Sequence, residues 1–97
     1  MLNISCDNTI EIVAGDKGFI NFRTSNHKLS AGDSVIFNIK DLRVTKTVKE
    51  FTEAGVACID LESVDTAHDK GVYEYTIRVI TELGVDDTVI IGNFKII

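Results

Sequence analysis

An all-β chain, folded as an antiparallel sandwich of about seven strands, is what this sequence predicts. Three observations carry that prediction: apolar residues recur with a period of two, turn-forming residues punctuate the chain at short regular intervals, and helical periodicity is scarce. At 97 residues, 44% apolar and 26% charged, the composition is that of an ordinary globular protein. A chain of this size suits one domain, residues 1–97, which buries roughly 60 to 70% of the surface exposed when unfolded. Proline is absent, so the turns must rely on Gly, Asn, Asp and Ser.

The strands follow in order. TIEIVAG (Thr9 to Gly15) places Ile10, Ile12 and Ala14 on one face, and AGDKG reads as a hairpin turn leading into GFINFRT (Gly18 to Thr24), with Ile20 and Phe22 inward and Asn21 and Arg23 outward. SNHKLSAGD is a polar loop in which Leu29 tucks inward before a turn at Gly32. SVIFNIKD (Ser34 to Asp41) is the cleanest strand: Val35, Phe37 and Ile39 face the core, and Ile36, Asn38 and Lys40 form an outward row.

The stretch from Leu42 to Glu62 is ambiguous, because Val48, Phe51 and Gly55 also fit one helical turn. The β-branched residues Val44, Thr45, Thr47 and Val48 favour two strands joined by a turn near Glu53 to Gly55. Ala57, Ile59 and Leu61 then point inward, and SVDTAHDKG is a capped turn with a short helical turn opened by Ser63 or Asp65. VYEYTIRVIT alternates Tyr73, Tyr75, Ile77 and Val79 against Glu74, Thr76 and Arg78. ELGVDD makes the last hairpin, and TVIIGNFKII closes the sheet with Phe94 and Ile96 buried. Gly92 marks a bulge or a close backbone approach, with a register shift expected there.

Charge and chemistry exclude more than they suggest. A net charge of −5 with scattered Lys and Arg gives no footprint for nucleic acid. No apolar run reaches the ~20 residues that span a bilayer, so neither nucleic acid nor membrane is an expected partner. The opening MLNISCDNTI has neither the basic nor the apolar region of a signal peptide, and the expectation is a cytoplasmic product. Cys6 and Cys58 are then reduced thiols rather than a disulfide.

His27 and His68 stand in polar loops without Cys or Asp at metal-ligand spacing. Glu82, Asp86 and Asp87 read as turn chemistry, since the oxygen-rich loop of a calcium hand is missing. Ser30, Ser34 and Cys58 lack the positioned base that a nucleophile needs, and Cys58 lies on the face opposite Ile59 with Val56 and Asp60. The glycines of GDKG join strand to strand, with no helix N-terminus to receive an anion. No catalytic residue, cofactor or metal is expected, and the chain is not expected to be an enzyme.

DKGVYEY (Asp69 to Tyr75) resembles the DxGxYxC pattern of immunoglobulin domains through Asp69, Gly71 and Tyr73, with Tyr75 in the place of the cysteine. The resemblance implies that Asp69 pins the preceding turn, that Gly71 accepts backbone geometry closed to other residues, and that the Tyr73 hydroxyl bonds upstream backbone as a tyrosine corner. It also takes the chain out of the disulfide-bonded members.

Over nearly its whole length the order of features is similar to the N-terminal domain of phage baseplate upper proteins and related Ig-like phage tail modules. VAGDKGFINF, SVIFNIKD, ESVDTAHDKGVYEYTIRV and GNFKII are the matching segments. That resemblance implies a non-enzymatic structural protein of a phage or prophage. Its partners would be tail or baseplate proteins or further copies of itself, and its destination the virion after synthesis in the host cytoplasm. Ile91 and Ile97, apolar beyond the needs of a core, mark the C-terminal strand as a contact surface. Two other readings remain open: an Ig-like surface or adhesion domain of a larger bacterial extracellular protein, and a small inhibitor acting through TSNHKLSAGD.

Overall fold

A computed structural model describes residues 2–4, 8–24, 28–84 and 86–97. Strand dominates the described residues, with almost no helix, so the protein is all-β. The strands are β1 (Asn3–Ile4), β2 (Ile10–Ile12), β3 (Gly18–Phe22), β4 (Ser34–Ile39), β5 (Val44–Val48), β6 (Ala57–Leu61), β7 (Gly71–Ile80) and β8 (Asp86–Ile96). A single 3₁₀ turn, Lys40–Leu42, separates β4 from β5, and one helical turn, α1 (Ser63–Thr66), separates β6 from β7.

A curled six-stranded sheet in the order β1-β2-β8-β7-β4-β5 packs against the two-stranded sheet β3-β6. The core between them follows the alternation: Ile10 and Ile12, Ile20 and Phe22, Val35, Phe37 and Ile39, Ala57, Ile59 and Leu61, Tyr75, Ile77 and Val79, Phe94 and Ile96 are all buried, while Ala14 and Tyr73, expected on the same faces, are half-buried against it. Leu29 joins the core at 2% exposure. At the centre, the Phe37 ring lies 5.5 Å from Tyr75 and 6.2 Å from Phe94, within the range of favourable ring pairing.

One pairing departs from an all-antiparallel sandwich. β2 runs parallel to β8, in the register Ile10↔Phe94 to Ile12↔Ile96, and the ladder is extended by Ile97 N–H to the Ile12 carbonyl and Ala14 N–H to the Ile97 carbonyl. The cause is the AGDKG turn, which is not a hairpin. Gly15 takes φ +82°, Asp16 N–H donates to the Val13 carbonyl at 3.0 Å, and the chain crosses to the opposite sheet, where β3 pairs with β6. β2 is thereby left to pair with the last strand.

Three further expectations are corrected. The register shift in the last hairpin falls at residue 89, between the pairs Ile77↔Ile90 and Arg78↔Thr88, and not at Gly92. Gly92 is instead a close approach: a Cβ there would stand 2.8 Å from the Asn8 carbonyl oxygen and 2.9 Å from Tyr75 Cε1. Gly71 lies outside the positive-φ set, and a Cβ on it would meet only ordinary contacts with the Tyr73 ring, so this glycine serves no special backbone geometry. The cap of α1 is Glu62 rather than Ser63 or Asp65, with Glu62 N–H donating to Asp65 Oδ2 at 2.8 Å.

The tyrosine corner is present. Tyr73 Oη donates to the Asp69 carbonyl at 2.7 Å. A second, unforeseen anchor is Asp33, 3% exposed. Its carboxylate accepts Ser30 N–H at 3.1 Å and Glu82 N–H at 3.0 Å, tying the loop before β4 to the β7–β8 hairpin.

Candidate protein-interaction site

Among the described residues the sequence-derived candidates do not converge. His68 is half-buried, and its backbone N–H donates to the Thr66 carbonyl at 2.8 Å. His27 and Cys6 lie outside the described residues, and the side chains of Asp86 and Asp87 do too. Ser34 opens β4 opposite Ile80, while Ser30 takes part through its backbone in the Asp33 turn. Among the described residues no group of three His, Cys, Asp or Glu side chains is placed to hold a metal ion. No helix among them is long and apolar enough to cross a membrane.

Cys58 is a free, exposed thiol on the outer face of β6. Desolvation pushes its pKa up, and the Asp60 carboxylate, which accepts a bond from Sγ at 3.8 Å, pushes it further. The neutral thiol is therefore favoured, the reverse of the electropositive setting that activates a nucleophilic cysteine.

The outer face of the large sheet is mostly polar. Ile36 and Asn38 are half-buried and Lys40 is exposed, as their outward parity requires. Ile91 is 64% exposed, but its cross-strand neighbour is Thr76, and Asn93 and Lys95 separate it from Ile97 along β8. Isolated apolar residues of this kind are normal on a protein surface.

A contiguous apolar feature lies elsewhere, at a seam between the two sheets. A groove of about 760 Å³ is lined by Leu2 and Ile4 on one side and by Gly18, Phe19 and Asn21 on the other, with Lys17, Asp60 and Glu62 around it. The sequence folds this way because Gly18 lacks a side chain. A Cβ at that position would stand 3.0 Å from Leu2 Cβ and 3.3 Å from Ile12 Cδ1, so glycine lets the N-terminal strand close on β3.

Both walls are sheet edges. Among the described residues β1 pairs only with β2, and β3 only with β6. Phe19 is 59% and Ile4 49% exposed, and the nearest ion pair, Lys17 with Glu62 at 4.0 Å, is solvated on both sides and contributes little. An aromatic and an aliphatic side chain thus stand in a groove beside two strand edges, with a charged rim.

Alternation alone sets Phe19 outward, opposite in parity to Ile20. Its partners Leu2 and Ile4 are not readable, because a two-residue strand carries no periodicity. Comparison with known proteins returns nothing: no family model, no curated protein and no solved structure matches this chain.

Proposed function

We propose that this protein is a non-enzymatic structural module of a phage or prophage tail or baseplate, working by protein–protein contact. The observation that carries the interaction role is the apolar groove of Leu2, Ile4 and Phe19 between two sheet edges. The phage setting is supported by the similarity of VAGDKGFINF, ESVDTAHDKGVYEYTIRV and GNFKII to Ig-like tail modules. A sandwich whose core closes around Tyr75 instead of a disulfide suits a protein that folds in a reducing cytoplasm before it joins a particle. Neighbouring tail proteins are the partners this reading assigns to the groove, with neither nucleic acid nor membrane involved.

Mass spectrometry of purified particles from the phage or induced prophage that encodes the chain tests this reading. The expected result is the chain at a fixed ratio to the other tail proteins. Its absence from particles, while it accumulates in the host, would overturn the assignment.

A further inference from the structure

β2 and β8 run side by side in the same direction, and that direction decides how the chain takes a pull. The entry to β2, ahead of Ile10, and the exit from β8, beyond Ile97, lie at opposite ends of their shared ladder. Tension between those two points therefore slides one strand lengthwise along the other, and every rung carries the load at once. Antiparallel neighbours pulled from adjacent ends instead open one rung at a time.

The ladder is built to resist sliding. Ile97 N–H donates to the Ile12 carbonyl and Ala14 N–H to the Ile97 carbonyl, both at 3.0 Å. Ile10 and Ile12 are buried beside Phe94 and Ile96, so a slip drags core side chains past one another through a close-packed interior. The outward pair of Glu11 and Lys95, 3.9 Å apart and solvated, adds little.

Both strands are also anchored beyond the ladder. β8 pairs on its other side with β7, from Gly71↔Ile96 to Ile80↔Asp86, and β7 pairs in turn with β4. The far end of β2 is pinned to α1: Gly15 N–H donates to the Thr66 carbonyl at 3.2 Å, and the hydroxyl of the buried Thr66 donates to the Asp16 carbonyl at 2.7 Å. β1 has the weaker geometry. Its pairs Asn3↔Glu11 and Ile4↔Ile10 are antiparallel, and a pull from ahead of β1 peels them in turn before β2 is loaded.

We propose that the β2–β8 ladder is a shear clamp, which keeps the sandwich folded when tension is applied through the two ends of the chain. The inference concerns the chain's own response to force, and it holds whatever occupies the Leu2–Phe19 groove and whether or not the protein belongs to a phage particle.

Single-molecule force spectroscopy tests it, with Cys6 and Cys58 replaced by serine so that handles attach only where intended. One arm pulls through the two ends of the chain. The other pulls through Lys70→Cys and the C-terminal end; Lys70 is exposed and precedes Gly71, the partner of Ile96, so this arm opens β7 from β8 at adjacent ends. Equilibrium stability is shared by the two arms, and forced unfolding reads the barrier. The force through the ends is expected to be at least about twice that through position 70, because the two Ile97 hydrogen bonds yield together in one arm and ladder bonds yield singly in the other. Equal forces, or a lower force through the ends, overturn the proposal.

Ala14→Pro supplies a second readout. Residue 14 precedes Gly15, at φ +82°, in a turn closed by Asp16 N–H to the Val13 carbonyl, and proline is favoured at that place in such a turn. The turn is kept and the bond to the Ile97 carbonyl is lost. The variant is expected to unfold in urea close to the wild type, to yield at a lower force through the ends, and to yield at an unchanged force through position 70. A folded variant whose force through the ends is unchanged overturns the proposal, and if the variant does not fold, the wild-type comparison decides alone.

Discussion

Gly92→Ala is expected to destabilise the fold by about 2 to 3 kcal/mol, although alanine for glycine inside a strand ordinarily gains about 0.5–1 kcal/mol. The sign reverses because the space is taken. The new methyl would stand 2.8 Å from the Asn8 carbonyl oxygen, 2.9 Å from Tyr75 Cε1 and 3.0 Å from Tyr75 Oη, and that same hydroxyl donates to the Asn8 carbonyl. Asn8 holds φ +66°, a conformation asparagine tolerates better than most residues, so the carbonyl is fixed by its own backbone and cannot step aside cheaply. Urea unfolding followed by circular dichroism measures the loss. Tyr75→Phe should then cost about 1 kcal/mol less in the Gly92→Ala background than in the wild type, because the hydrogen bond it removes is already broken there. Wild-type stability in Gly92→Ala would contradict the close approach.

Phe37→Ala is expected to cost more, about 4 kcal/mol. The side chain is fully buried and fills the space between Tyr75 and Phe94, so its removal loses both transfer energy and ring contacts on a strand that is paired on both sides. Against a total of roughly 5–15 kcal/mol for a domain of this kind, the variant is left marginal, with the melting temperature lowered by roughly 20 °C or more. Phe37→Leu, which keeps most of the volume, should lose under about 1.5 kcal/mol. A small loss in the alanine variant would mean that the two sheets close over the gap, and that the aromatic cluster is not the centre of the core.

Much of this fold is legible in the sequence, for one physical reason. A strand with one face buried must alternate, so Val35, Phe37, Ile39 and their counterparts on β3, β6 and β7 declare their own orientation. What alternation cannot declare is the partner. The AGDKG turn has the chemistry of a hairpin and of a crossing between sheets alike, and only the packing of β2 against β8 decides between them. β1 is invisible at two residues. Gly92 was legible as a constraint but not as which constraint, since a bulge and a close approach both call for a missing side chain. Asp33 gave no warning, because an aspartate beside a glycine turn reads as solvent chemistry. Its burial comes from the β7–β8 hairpin folding over it, with Glu82 N–H as the distant donor.

The candidate site was legible only in part. Phe19 is an aromatic at an outward position, and that much is local. The groove exists because Leu2 and Ile4 arrive beside it, an arrangement that depends on Gly18 and on the sandwich closing.

The claim that the groove is the working surface is tested most directly by competitive incorporation of wild-type and Phe19→Asp chains into assembling tails, read by quantitative mass spectrometry of purified particles. Phe19 lies on the exposed face of β3, so the variant should melt close to the wild type. An aspartate in the groove adds a charge beside Asp60 and Glu62 and removes the aromatic anchor, and the variant is expected to be depleted from particles about tenfold or more. Incorporation equal to that of the wild type, with both chains folded, would contradict the assignment of this groove as the assembly interface.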